Sequence, residues 1–141
     1  MSLLGALLIF IATLAGDIVP NYAPPPGALN PQVTQANISV TICRPCWTRT
    51  IRPPVRYTNA LKLTQMKERH LPGTPQSFEE DHLVALELGG HPTNPLNLWP
   101  ELWAQARVKD KWENAFNRAV CALRMTLRAA QEKIRDPKTW Q

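Results

Sequence analysis

The fold is decided by residues 80–101, which read EDHLVALELGGHPTNPLNLWPE. Two short apolar runs in this stretch are separated by a double glycine and two prolines. Short apolar runs bounded by turn residues are typical of strands, and they predict one strand over residues 81–88 and another over residues 96–99. The stretch therefore predicts a strand–turn–strand unit with polar residues at its ends.

Three polar residues of this unit have the side chains that a hydrolytic site uses. Asp81 and His82 open the first predicted strand, and Asn97 lies in the second. A carboxylate holds a hard cation, a neutral imidazole takes a proton from water, and an amide fixes the direction of the imidazole ring. A single histidine in a strand is more often structural than catalytic, so the interpretation depends on the three residues together. We predict Asp81 as a metal ligand, His82 as a general base and Asn97 as the residue that orients the ring.

This segment resembles the HNH endonuclease family. The resemblance extends from about Val40 to Trp140, since an Arg/Pro segment with a tryptophan precedes the Asp-His pair and a Lys-Asp-x-x-Glu helix follows it. Among HNH-related proteins it is similar to a group of small exported bacterial ones. The resemblance implies an α+β fold, with a small ββα-metal core and additional flanking helices. It also implies an endonuclease that hydrolyses phosphodiester bonds in nucleic acid, with DNA favoured over RNA, with Mg²⁺ or Mn²⁺ and with no small-molecule cofactor.

One position departs from the family pattern. Typical members carry a second metal-binding histidine on the helix, a few residues before a lysine. If Lys109 is that lysine, the ligand position falls near Ala106, which cannot bind metal. Asp110 and Glu113 share a helix face with Ala106, so we predict Asp110 as the replacement ligand, directly or through water, with Glu113 as the second choice. The alternative is that both are solvated charges paired with basic neighbours, in a degenerate member of the fold that binds nucleic acid or an envelope partner.

The net charge of +5 is concentrated on the two sides of the central segment. Residues 44–69 contain seven basic residues against one acid, and residues 107–135 contain eight against three. Basic flanks around an acidic centre suit an enzyme that holds a phosphate backbone, whereas nonspecific binding to an anionic surface is the alternative. The residues predicted to contact nucleic acid are Arg49, Arg52, Arg56, Arg107 and Lys109.

Three cysteines are present, at positions 43, 46 and 121. In an exported protein an even number should oxidise, so we expect one disulfide and one odd thiol. The Cys43-x-x-Cys46 pair lacks the thioredoxin-like context of a redox motif, and no second pair is present to complete a zinc site. The family resemblance places the disulfide between Cys43 and Cys121, which leaves Cys46 free. In the chain-entropy model this bond closes a loop of about 80 residues and contributes a few kcal/mol.

The chain begins with an uncharged apolar run from Leu3 to Ala15. The run is too short to cross a bilayer and is typical of the apolar part of a secretory signal peptide, although no lysine or arginine precedes it. We expect a signal peptide over residues 1–16 and a secreted or periplasmic protein, with no stable membrane insertion after processing; a retained membrane anchor is the alternative. Residues 17–40 are rich in proline and are predicted to form an extended linker before a folded domain over residues 41–141.

Three helices are expected around the predicted strands, over residues 59–69, 101–123 and 127–135. The first should begin after Thr58 and the last after Thr126, because both are good N-cap residues. The side chains expected to be buried in the core are Trp99, Leu102, Trp103, Trp112, Phe116, Val120 and Leu123.

Overall fold

The computed structural model describes residues 20–141 and has an α+β fold. Within this range the helices and strands occur in the order α1 (Trp47–Ile51), α2 (Val55–Glu68), β1 (Phe78–His82), β2 (Leu98–Leu102), α3 (Trp103–Cys121) and α4 (Leu127–Arg135). No helix of the described part of the chain is both long enough and apolar enough to span a membrane. The signal peptide predicted over residues 1–16 lies outside the described residues.

The two strands form an antiparallel pair in which Glu80 lies opposite Pro100 and Asp81 opposite Trp99. Both strands contact α2 and α3. Because side chains alternate between the two faces of a strand, Asp81 is on the face that meets Lys109 of α3, and Glu80 is on the face that meets α2. The sheet therefore lies between these two helices.

Both strands differ from their predicted positions. β1 ends at His82, where a strand over residues 81–88 was expected, and β2 continues through Pro100, which was expected to begin a helix. Each strand of a two-stranded sheet has one free edge, where proline is tolerated. As a consequence, Glu101 lies in the sheet and not in the first turn of α3.

The apolar run after β1 forms a buried loop instead of a strand. Leu83, Val84 and Leu88 belong to the main core, together with side chains of α3 and α4. The run is apolar at consecutive positions, and periodicity alone does not distinguish a buried strand from another buried segment. The loop closes at Gly90, where a Cβ atom would lie 1.7 Å from the Val84 carbonyl oxygen. Only glycine allows this approach.

The proline-rich segment before residue 41 packs on the domain from Asn21 onward, where the Asn21 amide donates to the Arg69 carbonyl at 2.9 Å. The Gly27 amide donates to the Leu96 carbonyl at 2.8 Å, and Val33 and Ile38 are buried in the main core. A 3-10 helix, Gln35–Val40, ends the segment. Proline excludes an α-helix here but does not prevent the segment from burying its apolar side chains. This part of the expected linker is therefore part of the folded domain and not a spacer.

Helix α4 confirms its prediction. It begins after Thr126, whose hydroxyl accepts a hydrogen bond from the Ala129 amide at 3.1 Å, and it ends before Asp136. The disulfide between Cys43 and Cys121 is also confirmed, and it joins the segment before α1 to the last residue of α3.

The predicted burial of the tryptophans is confirmed for one and wrong for two. Trp99 is 2% exposed and lies 6.4 Å from Trp140, measured between ring centroids. Trp103 and Trp112 are each 42% exposed, and Leu123 is 78% exposed. Trp103 is the first residue of α3 and precedes the turns of the helix that meet the core.

Candidate functional site

His82 is the last residue of β1, and its ring is held by one hydrogen bond to the backbone. Its Nε2 lies 2.9 Å from the carbonyl oxygen of Pro92. A carbonyl oxygen only accepts, so Nε2 carries the proton and Nδ1 of the neutral ring is left as an acceptor. The residue is 6% exposed, and this burial lowers the pKa of the imidazole below its usual value. The ring is therefore neutral at neutral pH and has the protonation state that a general base requires.

Asn97 is fully buried, but its side chain forms no hydrogen bond to the His82 ring. Its Oδ1 accepts from the Val84 amide at 2.9 Å, and its Nδ2 donates to the carbonyl oxygens of Val84 and His91, both at 3.0 Å. These bonds tie the two ends of the buried loop together. The carbonyl of Pro92 follows directly after His91, so Asn97 positions His82 indirectly. The prediction that Asn97 itself holds the His82 ring is therefore wrong, because both polar atoms of the Asn97 side chain form hydrogen bonds to backbone groups.

Asp81 forms an ion pair with a lysine. Its Oδ2 lies 2.7 Å from the Nζ of Lys109, and its Oδ1 accepts from the His82 amide at 2.8 Å. Burial opposes ionisation of Asp81, but the neighbouring ammonium more than offsets it, and the pKa of this carboxyl lies below its usual range. Asp81 is therefore ionised at neutral pH, with a cation beside it that the chain itself supplies.

Lys109 is enclosed by three carboxyl groups and has no exposed side-chain surface. Its Nζ lies 2.6 Å from Oε1 of Glu113 and 3.6 Å from Oε2 of Glu101, and it donates to the His82 carbonyl at 3.0 Å. Burial acts against the charge of Lys109, but the carboxylates raise the pKa of the ammonium above its usual value. The predicted contact between Lys109 and nucleic acid is therefore wrong, because the ammonium is buried inside the protein.

Glu101 and Glu113 complete this buried group. Burial raises the pKa of Glu101 to about 9, helped by the nearby Asp81 carboxylate, and burial raises the pKa of Glu113 to about 8. These raised pKa values favour the protonated forms of Glu101 and Glu113, whereas Asp81, whose pKa is lowered, is the most readily ionised carboxyl of the group. The sequence interpretation missed Glu101 because it assigned this residue to a helix start. The signal was its position two residues after Trp99, which places both side chains on one face of a strand.

The replacement ligand predicted on α3 does not have the expected environment. Asp110 is exposed, whereas Lys109 and Glu113 are buried. The buried side of α3 follows Ala106, Lys109, Glu113, Phe116 and Val120, so it passes beside Asp110. Burial raises the pKa of Asp110, and the charge of Asp81 raises it further. Asp110 is therefore close enough to interact with Asp81, but it is not one of the buried residues around Lys109.

The arrangement does not fit the divalent cation that the resemblance implies. Among residues 20–141 no three histidine, cysteine, aspartate or glutamate side chains are grouped so as to hold a metal ion. The atom that a metal would need, Oδ2 of Asp81, is paired with the Lys109 ammonium. Mg²⁺ requires several oxygen ligands in near-octahedral geometry, and an ammonium at this distance repels it.

A cleft of about 290 Å³ opens in front of His82 and Asp81. Arg52 lines it from the segment before α2, and Lys62 lines it from α2. Arg52 is close enough to contribute to the lowered pKa of His82. Lys62 was not predicted as a site residue, although its ammonium donates to the Phe78 carbonyl at 3.0 Å beside the cleft.

The other predicted nucleic-acid contacts are exposed but lie outside this cleft. Arg49, Arg56 and Arg107 are exposed, and none of them lines it. Arg52 also lines a second polar cavity, of about 220 Å³, together with Asp110 and Glu113. Of the predicted basic residues, Arg52 is the one that the fold brings to the candidate base.

No family model, curated protein or solved structure matches this chain. The resemblance to HNH nucleases therefore stays a prediction from the residues of the central segment.

Proposed function

We propose that this protein hydrolyses phosphodiester bonds in nucleic acid, with DNA as the favoured substrate and His82 as the general base. The observation that carries the proposal is the hydrogen bond from His82 Nε2 to the Pro92 carbonyl. It fixes the ring in a cleft and leaves Nδ1 as an acceptor. Burial lowers the pKa of the ring, so Nδ1 is free of a proton at neutral pH.

In the proposed step, Nδ1 of His82 takes a proton from a water molecule as the water oxygen bonds to phosphorus. The bond from phosphorus to the leaving oxygen breaks, and that oxygen takes a proton from solvent. Arg52 and Lys62 supply positive charge at the cleft for the phosphate that is attacked. Neither residue has a salt-bridge partner among the described residues.

We also infer that β1, β2 and α3 form an HNH-like ββα core. It is supported by the consecutive order of β1, β2 and α3 and by the Asp81-His82 pair at the end of β1. Dependence on Mg²⁺ or Mn²⁺ stays a prediction from the resemblance, and no part of the proposed step uses a metal. Location outside the cytoplasm also belongs to the proposal, and the Cys43–Cys121 disulfide supports it.

The test is cleavage of supercoiled plasmid and of labelled single-stranded DNA by the purified protein, in EDTA, Mg²⁺ and Mn²⁺. The decisive variant is His82→Gln, because the glutamine amide can still donate to the Pro92 carbonyl but cannot act as a base. General-base catalysis contributes roughly 100- to 10,000-fold, so cleavage should fall by at least about 100-fold. The matched control is His70→Asn. His70 is exposed outside the cleft, and its φ of 54° is a conformation that asparagine tolerates.

Retention of cleavage by folded His82→Gln contradicts the proposed step. An equal loss of cleavage in the His70→Asn control also contradicts it, because the position of His82 in the cleft would then make no difference to activity.

A second function is favoured by the buried Lys109 group. Since the ammonium neutralises Asp81, the domain also fits a nucleic-acid-binding or envelope interaction module that has lost its metal. The two functions are separated by the cleavage assay and by DNA binding at several salt concentrations. Cleavage that is lost in His82→Gln supports the enzyme, whereas salt-dependent DNA binding without any cleavage supports the module.

A further inference from the structure

Trp103 is an exposed indole that is held in one orientation beside the candidate base. Its Nε1 donates to the Gln76 carbonyl at 3.0 Å, and 42% of the residue remains exposed. The same residue lines the cleft that contains His82 and Asp81. The polar group of the indole is already satisfied, so the exposed remainder is aromatic ring surface, which gains free energy when another flat group covers it.

A second cavity shares two of its lining residues with the cleft. This cavity has a volume of about 410 Å³, and Asn59 and Lys62 line both spaces. Gln76, which holds the indole, lines it as well, and so does Leu63, which is 56% exposed. Lys62 therefore lies between the cleft, which has aromatic surface from Trp103, and the second cavity, which has aliphatic surface from Leu63. Base stacking on aromatic residues next to cationic backbone contacts is the usual way in which proteins bind single-stranded nucleic acid.

We propose that Trp103 is a stacking platform for an unpaired nucleobase next to the phosphate that is attacked, and that the substrate is therefore single-stranded or locally unpaired. This inference rests on the proposed function, because it places the base beside the phosphate that His82 serves. A base inside a duplex has both faces covered by its neighbours and cannot lie on the indole without leaving the stack. Stacking does not depend on the sugar, so DNA and RNA strands share this chemistry.

Helix α3 offers a matched control. Trp112 is also 42% exposed, but its ring lies 5.7 Å from the Phe116 ring between centroids, and it does not line the cleft. Replacement of either tryptophan removes the same exposed area from the same helix, and only Trp103 lies at the proposed substrate site.

The experiment measures binding without cleavage. Fluorescence anisotropy is recorded for labelled oligothymidylate and oligouridylate with phosphorothioate linkages, and for the thymidylate strand annealed to its complement, all in EDTA. Trp103→Ala should weaken binding of the single strands about 5- to 100-fold, as expected for one stacked base. Trp103→Phe should retain most of the affinity, Trp112→Ala should leave it unchanged, and the duplex affinity should change by less than about 2-fold in every variant.

Equal effects of Trp103→Ala and Trp112→Ala, or equal losses for single strand and duplex, overturn the inference. Loss of affinity for one of the two single strands or for both supports it. Because the readout is binding, this result is separate from the cleavage assay. Cleavage that depends on His82 but not on Trp103 supports the proposed function and contradicts the stacking role. Binding that depends on Trp103 without any cleavage contradicts the proposed function and supports the stacking role.

Discussion

Replacement of Lys109 by methionine tests the buried charge group most directly. Methionine keeps an unbranched apolar stem of similar length and lacks the ammonium. In the native protein the ammonium has no exposed surface, and its Nζ lies 2.7 Å from Asp81 Oδ2 and 2.6 Å from Glu113 Oε1. The substitution therefore leaves Asp81 as a carboxylate that has lost its cationic partner inside the protein.

The size of the effect follows from which groups are charged. Burial raises the pKa of Glu101 to about 9 and that of Glu113 to about 8, so at pH 7 the main ionised carboxyl of the group is Asp81. Removal of one partner from a buried ion pair costs about 3 to 5 kcal/mol. Domains of this size are stable by roughly 5 to 15 kcal/mol, so Lys109→Met should remain folded with a much smaller margin.

The assay is urea unfolding followed by far-UV circular dichroism at pH 7. Lys111→Met is the matched control, because Lys111 is exposed on the same helix and its loss should change stability by less than about 0.5 kcal/mol. The double variant Lys109→Met/Asp81→Asn should recover most of the lost stability, since it removes the uncompensated charge. The reasoning is refuted if Lys109→Met is as mild as the control, or if Asp81→Asn recovers nothing.

Three further predictions concern pH and the loop that supports the site. Burial raises the pKa of Glu101 to about 9, so the stability that this carboxyl contributes is complete below its ordinary pKa near 4.5 and is lost as the pH rises towards 9. Thermal unfolding at pH 6 and pH 9 should therefore show a smaller loss of stability in Glu101→Gln than in the native protein. An equal loss of stability in the two proteins contradicts the raised pKa of Glu101. The lowered pKa of His82 predicts a cleavage rate that rises with pH, has its midpoint below 6.5 and then stays level, so a pH–rate profile that instead falls above 6.5 argues against a neutral base. Gly90→Ala places a Cβ atom 1.7 Å from the Val84 carbonyl oxygen, and the required displacement should destabilise the domain by about 1 to 3 kcal/mol in the same urea assay; an unchanged midpoint means that the approach is not tight.

Local patterns accounted for the features that depend on neighbouring residues. Thr126 predicted the start of α4 because an N-cap needs only a hydroxyl and the following backbone amides. The position of Asp81-His82 at the edge of an apolar run predicted that the pair lies on a strand, although at its end and not at its start. The Cys43–Cys121 disulfide came from the family resemblance, because spacing alone does not select among three cysteines.

Local patterns failed where burial depends on what another element presents. Lys109 and Asp110 are adjacent charged residues on one helix, and the sequence predicted Lys109 as an exposed contact to nucleic acid and Asp110 as a metal ligand. Only the contact of α3 with the sheet decided that Lys109 faces Asp81 and Glu101 while Asp110 remains outside. The same holds for Trp103. Its large aromatic side chain predicted a place in the core, but the residue is exposed at the start of α3.

The sequence by itself determined the α+β class, the bounds of α4 and the presence of Asp81 and His82 on a strand. The expected start of α2 after Thr58 was wrong, because the helix begins at Val55 after Pro54. Tertiary structure alone decided the partners of those side chains: Lys109 beside Asp81, the Pro92 carbonyl on the His82 ring, and Asn97 on the loop backbone. The physical reason is range. Helix caps and strand periodicity act over a few residues, whereas ion pairs and hydrogen bonds inside a core join residues that the chain brings together only after its elements pack.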